Sequence, residues 1–288
     1  MITDIKMGGI GVELNLLEAL IYGLVSGITE FLPVSAQAHQ VILLNLFGCT
    51  ETNGLLNLFV HIGMFIALSV TSGNYIKRMY REYQFSKSTR RRRKREVNMQ
   101  SVFDIHLVKM ACIPVIIGFI FYNKTLQWGN SIPLIAIFML LNGVILFIPM
   151  YLARGNKDSR NMSSLDGILF GFGSALSVFH GVSRIGAGVS LAVSRGADPQ
   201  HAYKWSLILS VPVLLILSCF DLFLIFTVGI GQVDLMFVFK CILCGMCAYF
   251  SATVTITFMK TLTTRTGLAG FSYYSWGAAL FAFILYLY

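Results

Sequence analysis

Six stretches of about twenty mostly apolar residues restrict this chain to folds that can cross a membrane. A helix needs about 20 residues to cross a hydrocarbon core of about 30 Å, and 55–75, 104–123, 132–153, 203–228, 234–259 and 268–288 reach that length. Only 12% of the residues are charged and 56% are hydrophobic, whereas soluble domains carry roughly 25% charged residues. We therefore expect an all-α polytopic membrane protein with six transmembrane helices, as a single integral membrane domain over 1–288, and the composition excludes a soluble enzyme.

Two further apolar segments, 14–47 and 165–193, are interrupted near their middles by Gly, Pro, Ser and charged residues. Irregular backbone stands at membrane depth only where it is buried in protein or lines a cavity, so each segment is predicted to form a re-entrant helix-loop-helix pair. The stretches GLVSGITEFLPVS and GFGSALSVFHGVS also share residues in register. Each precedes three spans, an odd number, which predicts an inverted repeat with halves at about 13–153 and 164–288.

Basic residues are concentrated in 77–97, within a chain of 22 Lys and Arg against 13 Asp and Glu. Cytoplasmic loops collect Lys and Arg, so we expect 77–97 to be a basic cytoplasmic loop that contacts anionic lipid. An Arg cluster can also neutralise phosphates of nucleic acid, but topology explains this one, and no nucleic-acid partner is expected.

The first thirteen residues lack a short apolar run with a cleavage site, so no removable signal peptide is predicted.

Three cysteines, Cys241, Cys244 and Cys247, are spaced three apart in an apolar run and share one side of the predicted helix. A metal site would need thiolates from more than one segment and polar groups behind them. The run offers neither, so we expect these cysteines to be small packing residues.

Glu30 and Arg184 are charged residues in the equivalent broken segments of the two halves. A charge at membrane depth is costly and usually marks a functional site with its partner nearby, and an inverted repeat would bring this pair together near the midplane. Backbone N–H groups at the glycines of the second segment can approach an anion closely. A phosphate site is therefore predicted, with neighbours Ser35, Gln37, His39, His180, Ser183 and Gly186.

A purely structural role stays open as the alternative for the same residues. Glu30 and Arg184 could form a buried ion pair that fixes the packing of the two halves, although such pairs are weak contributors to stability. His39 could be a core histidine bonded to backbone. His61, within the first span, could face the interior or take part in the site.

The motifs SGITEFLPVSAQAH and HGVSRIG, at 26–39 and 180–186, resemble the two signatures of the undecaprenyl pyrophosphate phosphatase family, also called the bacitracin resistance protein family. The likeness extends to MACIPVIIGFIFYN and DPQHAYKWSLILSVP and covers nearly the whole chain. It implies hydrolysis of undecaprenyl or another polyprenyl diphosphate to the monophosphate lipid carrier. It also implies a site that opens to the outer face of the bacterial plasma membrane, a role in lipid carrier recycling for the cell wall, and bacitracin resistance.

The resemblance implies roles for individual residues. Glu30, His39 and Arg184 are predicted to be catalytic. The residues predicted to bind substrate are Ser35, Gln37, Ser183, Gly186 and Ser26, the last of which stands where the family has its first glutamate.

The sequence departs from the family at several motif positions: Ser26, Ala36, Gln37, Ala38, His180, Ile185 and Gly188. The family's second motif serine, proposed as a nucleophile, falls on Ala36, which has no hydroxyl. Three routes remain: attack by His39, attack by Ser35 with His39 as base, or attack by a water that His39 and Glu30 activate.

No cofactor is certain from the sequence, and a divalent cation, Mg or Ca, could bridge the diphosphate oxygens with Glu30 as a weak ligand. The expected partners are a polyprenyl diphosphate lipid and membrane lipids. Small residues in the last span suit packing within one chain or between chains, so the oligomeric state stays open. Alternative functions are a non-enzymatic polyprenyl-phosphate transporter or flippase and a catalytically degenerate homologue.

Overall fold

The structure, a computed structural model, describes residues 14–49, 53–87, 97–152, 155–229, 233–263 and 265–287. Within these ranges the chain forms α-helices and three short 3-10 turns, with no β-strand. The helices are α1 (Leu16–Phe31), α2 (Ala36–Leu46), α3 (Gly54–Lys87), α4 (Met99–Gly129), α5 (Ile132–Phe147), α6 (Ser164–Ala175), α7 (Arg184–Ser194), α8 (Pro199–Val228), α9 (Leu235–Leu262) and α10 (Arg265–Leu287).

Six stretches of helix are long and apolar enough to cross a membrane: Gly54–Lys87, Met99–Tyr122, Ile132–Met150, Pro199–Thr227, Leu235–Leu262 and Leu268–Leu287. Each overlaps one of the six predicted runs, so that prediction is confirmed and the protein is a multi-pass membrane protein. Large apolar side chains stand on the outside of these helices, for example Phe226 and Leu235, which are 85% and 87% exposed. Such a surface suits lipid rather than water.

The first part of the predicted basic loop, residues 77–87, is helical. Helix α3 continues to Lys87, so these residues are not part of a loop. Lys, Arg, Glu and Gln are good helix formers, and they extend the helix beyond its apolar part. Residues 88–96 of the predicted loop lie outside the described residues, as do the first thirteen residues, on which the expectation about a signal peptide depends.

Both broken segments contain the interruption that the sequence predicts. Helix α1 ends at Phe31 because Pro33 disfavours helical backbone at the preceding residue, and Ser35 then caps α2 by accepting a bond from the Ala38 N–H at 3.3 Å. In the second segment, Gly181 has a φ of +129°, which glycine adopts without strain. Ser183 then caps α7. Each break therefore ends in a serine that starts the next helix.

The two broken segments are packed into opposite halves of the chain. Helix α1 lies along α9, and α6 lies along α4. A Cβ on Gly23 would collide with the carbonyl of Cys244, and one on Gly171 would collide with the carbonyl of Ala111, so glycine permits both close approaches. Cys244 is fully buried there, which matches the packing role predicted for it.

The remaining helices join the halves. Helix α3 packs against α8, and α5 packs against α10, where the Trp276 indole lies over Gly143. The buried core includes Tyr22 and Phe31 from α1 and Phe170 and Trp205 from the second half. These contacts bring the break at 32–35 beside the break at 179–183.

Candidate active site

Glu30 and Arg184 form an ion pair between the two broken segments. Glu30 lies in the last turn of α1, and Arg184 is the first residue of α7. The Nη2 of Arg184 donates to Oε1 of Glu30 at 2.7 Å, and its Nη1 donates to the Ser210 hydroxyl on α8 at 2.8 Å. The two charged side chains are only 9% and 14% exposed. The guanidinium is thus held in a fixed orientation, and the predicted juxtaposition is confirmed.

Hydrogen bonds between the breaks hold them together. The Gly181 N–H donates to the Ser35 hydroxyl oxygen at 3.0 Å, and the Ser183 hydroxyl donates to the Leu32 carbonyl at 3.3 Å. Backbone groups outside regular helices must find partners where water is excluded. These bonds supply them across the interface between the halves.

Asn142, on α5, bridges the two breaks and was not identified from the sequence. Its amide nitrogen donates to the Pro33 carbonyl at 3.3 Å and to the Ser275 hydroxyl at 3.0 Å, while its Oδ1 accepts from the Ser183 N–H at 2.8 Å. The side chain is 1% exposed. A polar residue inside an otherwise apolar span was the signal that could have found it.

A cavity of about 180 Å³ lies beside the ion pair. Its apolar wall comes from α4 and α8 and includes Phe119, Val213 and Phe220. The polar side chains that line it are Glu30, Ser35, Gln37, Gln40, Asn57, His61, Tyr122, Ser174, Ser177, Arg184 and Asp221. A pocket that combines apolar walls with a few convergent polar and charged groups is the usual form of a small-molecule site.

Four of the predicted site residues line this cavity: Glu30, Ser35, Gln37 and Arg184. Gln37 also donates to the Tyr122 hydroxyl at 3.3 Å, which links α2 to α4. Ala36, which replaces the family's second motif serine, lines the cavity as well. Residue 36 therefore offers no hydroxyl to the cavity.

His39 is placed elsewhere. Its Nε2 contacts the Tyr274 hydroxyl at 2.8 Å, its Nδ1 contacts the Ser35 carbonyl at 2.6 Å, and its ring stacks on Tyr274. It lines a separate, largely apolar groove between α1, α2 and α10. Successive residues of a helix are turned by about 100°, so His39 points away from the face that Gln40 presents to the cavity.

Three predicted substrate-binding residues have other partners. Ser26 is fully buried and accepts a bond from the Gln40 amide at 2.9 Å. The Ser183 hydroxyl accepts from the Gly186 N–H at 3.0 Å, so these two residues are occupied in capping α7. None of the three is among the described residues that line the cavity. Substrate binding by them stays a prediction.

The cavity contains a histidine–aspartate pair whose acid the sequence analysis did not single out. His61 Nδ1, on α3, lies 2.5 Å from Asp221 Oδ2, on α8. Their side chains are 15% and 6% exposed. Both lie inside predicted spans, and an ionisable residue in a span is the signal that could have identified Asp221.

A sequence model of the Bacitracin resistance protein BacA family matches residues 19–281. The chain belongs to this family. An undecaprenyl-diphosphatase of Methanobrevibacter smithii is 26% identical over 94% of this chain and 98% of its own length. One of Carboxydothermus hydrogenoformans is 29% identical over 91% and 94%, and undecaprenyl-diphosphatase 1 of Shouchella clausii is 27% identical over 94% and 96%. The family resemblance that the two motifs indicated is thus confirmed, and it extends over nearly the whole of this chain.

Proposed function

We propose that this BacA-family protein is an undecaprenyl-diphosphatase, which hydrolyses undecaprenyl diphosphate to the monophosphate lipid carrier and inorganic phosphate. The relatives that align over nearly its full length carry that name. The observation that carries the proposal is the buried Arg184 guanidinium, which faces a polar cavity between the two breaks. In this role the protein would recycle the carrier of cell-wall synthesis and confer bacitracin resistance. The relatives are named as hydrolases, which does not favour the alternative function of a polyprenyl-phosphate transporter.

Arg184 is the proposed binding group for the diphosphate. A guanidinium has five N–H donors, and among the residues that the structure describes two of them are used, by Glu30 and Ser210. The remaining donors suit the planar, two-point recognition of a phosphate. Because the guanidinium is already oriented and largely removed from water, its charge stabilises the transferring phosphoryl group strongly. Glu30 is proposed to hold Arg184 in that orientation.

Water is the nucleophile that this site favours. Ala36 has no hydroxyl, and the two lone pairs of the Ser35 hydroxyl accept bonds from the Gly181 and Ala38 N–H groups. His39 would have to leave Tyr274 to reach the cavity. Attack by Ser35 or His39 therefore requires existing hydrogen bonds to break, whereas attack by a water molecule does not.

A bound divalent cation fits the described residues poorly. No three His, Cys, Asp or Glu side chains converge within the described part of the chain, and Oε1 of Glu30 is taken by Arg184. Mg²⁺ is commonly held by one or two carboxylates together with substrate phosphates. Any cation would thus arrive with the diphosphate, and no step of the proposed reaction is assigned to it.

The proposed membrane arrangement is an inverted repeat of 13–153 and 164–288, with two re-entrant pairs, α1–α2 and α6–α7. Two observations support it: α1 packs on α9 as α6 packs on α4, and α3–α8 and α5–α10 join equivalent helices of the halves. We further propose a plasma-membrane location with 77–97 on the cytoplasmic side and the site open to the outer face. A membrane-impermeant thiol reagent should then label Gln37→Cys from outside intact cells, in a background without the exposed native Cys219.

The function is tested by incubating the purified protein with undecaprenyl diphosphate in detergent. Equal amounts of inorganic phosphate and undecaprenyl monophosphate should appear, and Glu30→Gln should reduce the rate. Failure of the wild-type protein to release phosphate, with folded protein and bound lipid, would contradict the proposal. In that case lipid movement across proteoliposome membranes would identify a transporter.

A further inference from the structure

We infer that His61, oriented by Asp221, is the general base that activates the attacking water. This inference rests on the proposed function and assigns the one role in that reaction which the motif residues leave open. Neither residue belongs to the two motifs that carry the family resemblance.

The geometry matches a base held by an orienting carboxylate. His61 Nδ1 lies 2.5 Å from Asp221 Oδ2. Because an ionised carboxylate only accepts hydrogen bonds, this contact selects the tautomer that carries its proton on Nδ1 and its lone pair on Nε2. No hydrogen bond to Nε2 is found among the residues that the structure describes. The ring lines the same cavity as Arg184 and Glu30, so Nε2 has access to a water beside the bound diphosphate.

A purely structural role explains this pair less well. Asp104 provides the comparison, because it also lies within a predicted span and contacts two other helices. Its two oxygens accept bonds from the Tyr75 hydroxyl at 2.9 Å and the Trp205 indole at 2.8 Å, and it is 2% exposed. Asp104 is thus sealed by its partners and does not line the cavity. Asp221, in contrast, lines the cavity and contacts the imidazole of His61, which lines the cavity as well.

The other candidate bases have competing contacts. Oε1 of Glu30 is engaged by the Nη2 of Arg184 at 2.7 Å. His39 has contacts at both ring nitrogens and lines a different groove. His61 is the histidine that combines cavity access with an orienting acid in the described part of the chain.

The chemical step conserves atoms and charge. The oxygen of a water forms a bond to the terminal phosphorus while one water proton passes to Nε2 of His61. The bond from that phosphorus to the bridging oxygen breaks, and its electron pair leaves on the lipid monophosphate next to Arg184. The imidazolium, stabilised by Asp221, then gives its proton to a phosphate oxygen, which restores the neutral ring.

The test compares phosphate release from undecaprenyl diphosphate by the wild-type protein, His61→Gln and Asp221→Asn in detergent. His106→Gln is the matched control, because His106 bonds to Ser164 outside the cavity. Loss of a general base should lower kcat of His61→Gln about 10²- to 10⁴-fold with little change in KM. Asp221→Asn should also lower kcat, but by a smaller factor than His61→Gln, as expected for a positioning residue. The kcat of His106→Gln should match that of the wild type.

The pH dependence of kcat/KM separates catalysis from packing. The titratable and charged groups that face His61 across the cavity are Glu30, Tyr122, Arg184 and Asp221. Glutamine cannot accept the proton of the water, so the pH dependence of kcat/KM should differ between His61→Gln and the wild-type protein, whereas a variant that only loosens the packing should keep the wild-type profile. If His61→Gln does not fold, the kcat and pH profile of Asp221→Asn provide the test.

The outcomes distinguish this inference from the proposed function. If the wild-type protein releases no phosphate, both are overturned. If it releases phosphate and His61→Gln keeps at least half of the wild-type kcat with an unchanged pH profile, only the inference is overturned. A large loss in His39→Gln without a loss in His61→Gln would likewise overturn it and would assign the base to His39.

Discussion

The two helix breaks use the same backbone device but present different surfaces to the cavity. Ser35 caps α2 and Ser183 caps α7, each by accepting an N–H bond three residues on. Helix α2 is only partly buried and gives Gln37 and Gln40 to the cavity. Helix α7 is almost wholly buried, and Arg184 is its one residue among those that line the cavity in the described chain.

Similar motif sequences thus form similar backbones and still present different chemical groups to the cavity. The second break is almost wholly buried and presents the Arg184 guanidinium to the cavity. The first break is less buried and contributes the polar side chains Gln37 and Gln40.

Arg184→Ala should abolish most activity, because it removes the charge that the second break presents. Loss of one strong electrostatic contact to the transition state typically costs about 10²- to 10³-fold in kcat. Arg184→Lys should recover part of the rate, since Lys keeps the charge without the two-point fork. Phosphate release at equal amounts of folded protein measures both.

Arg195→Ala is the matched control for Arg184→Ala. Arg195 pairs with Asp166 at 2.7 Å, is half exposed and lies away from the cavity. Its activity should be close to that of the wild type. Equal losses in the two variants would remove the special role of the second break.

Asn142→Ala should loosen the contact between the breaks. It leaves the Pro33 carbonyl and the Ser183 N–H without their partner in a buried site, at a cost of about 1–3 kcal/mol for each unsatisfied group. Thermal unfolding in detergent should show a lower midpoint, with a smaller decrease for Ser275→Ala, which loses a single bond. An unchanged midpoint in Asn142→Ala would contradict the bridging role.

Gly23→Ala and Gly171→Ala should destabilise the protein to a similar degree, about 1–3 kcal/mol, because each added methyl meets a backbone carbonyl of the other half. Gly270→Ala is the control, since nothing lies within 4 Å of its added Cβ. Thermal midpoints again provide the measurement. A large decrease in only one of the pair would contradict equivalent packing of α1 and α6.

Ser35→Ala and Ser183→Ala should each cost about 0.5–2 kcal/mol from loss of a helix cap, and each also breaks a bond between the two breaks, to the Gly181 N–H and the Leu32 carbonyl respectively. Their kinetics should differ. Ser35 lines the cavity, so its loss should also raise KM, whereas Ser183→Ala should change stability with little effect on KM. Parallel changes in KM would indicate that both breaks contact the lipid diphosphate.

Much of the fold was predictable because span length and helix breaking depend on local composition. The six spans, Pro33 at the first break and the meeting of Glu30 with Arg184 follow from runs of apolar residues and the cost of an isolated charge in a membrane. The polarity of residues 77–87 predicts a loop, but their charged residues are good helix formers and continue α3.

The side-chain content of the cavity was less predictable. The direction of His39 depends on how α2 is rotated against α10, which no local pattern specifies. The contribution of Asp221 depends on α8 packing against α3, between residues 160 positions apart. The motif resemblance does not predict the direction of His39 or the contribution of Asp221. It matches residues by their position along the chain and says nothing about contacts between helices.

The central claim is that the two breaks build one site, and a double-mutant cycle on kcat/KM tests it most directly. Glu30→Gln and Arg184→Lys lie in different halves and are each expected to keep measurable phosphate release. Because both act on one guanidinium–phosphate contact, the double variant should lose much less activity than the product of the single losses. Losses that multiply independently would contradict a shared site.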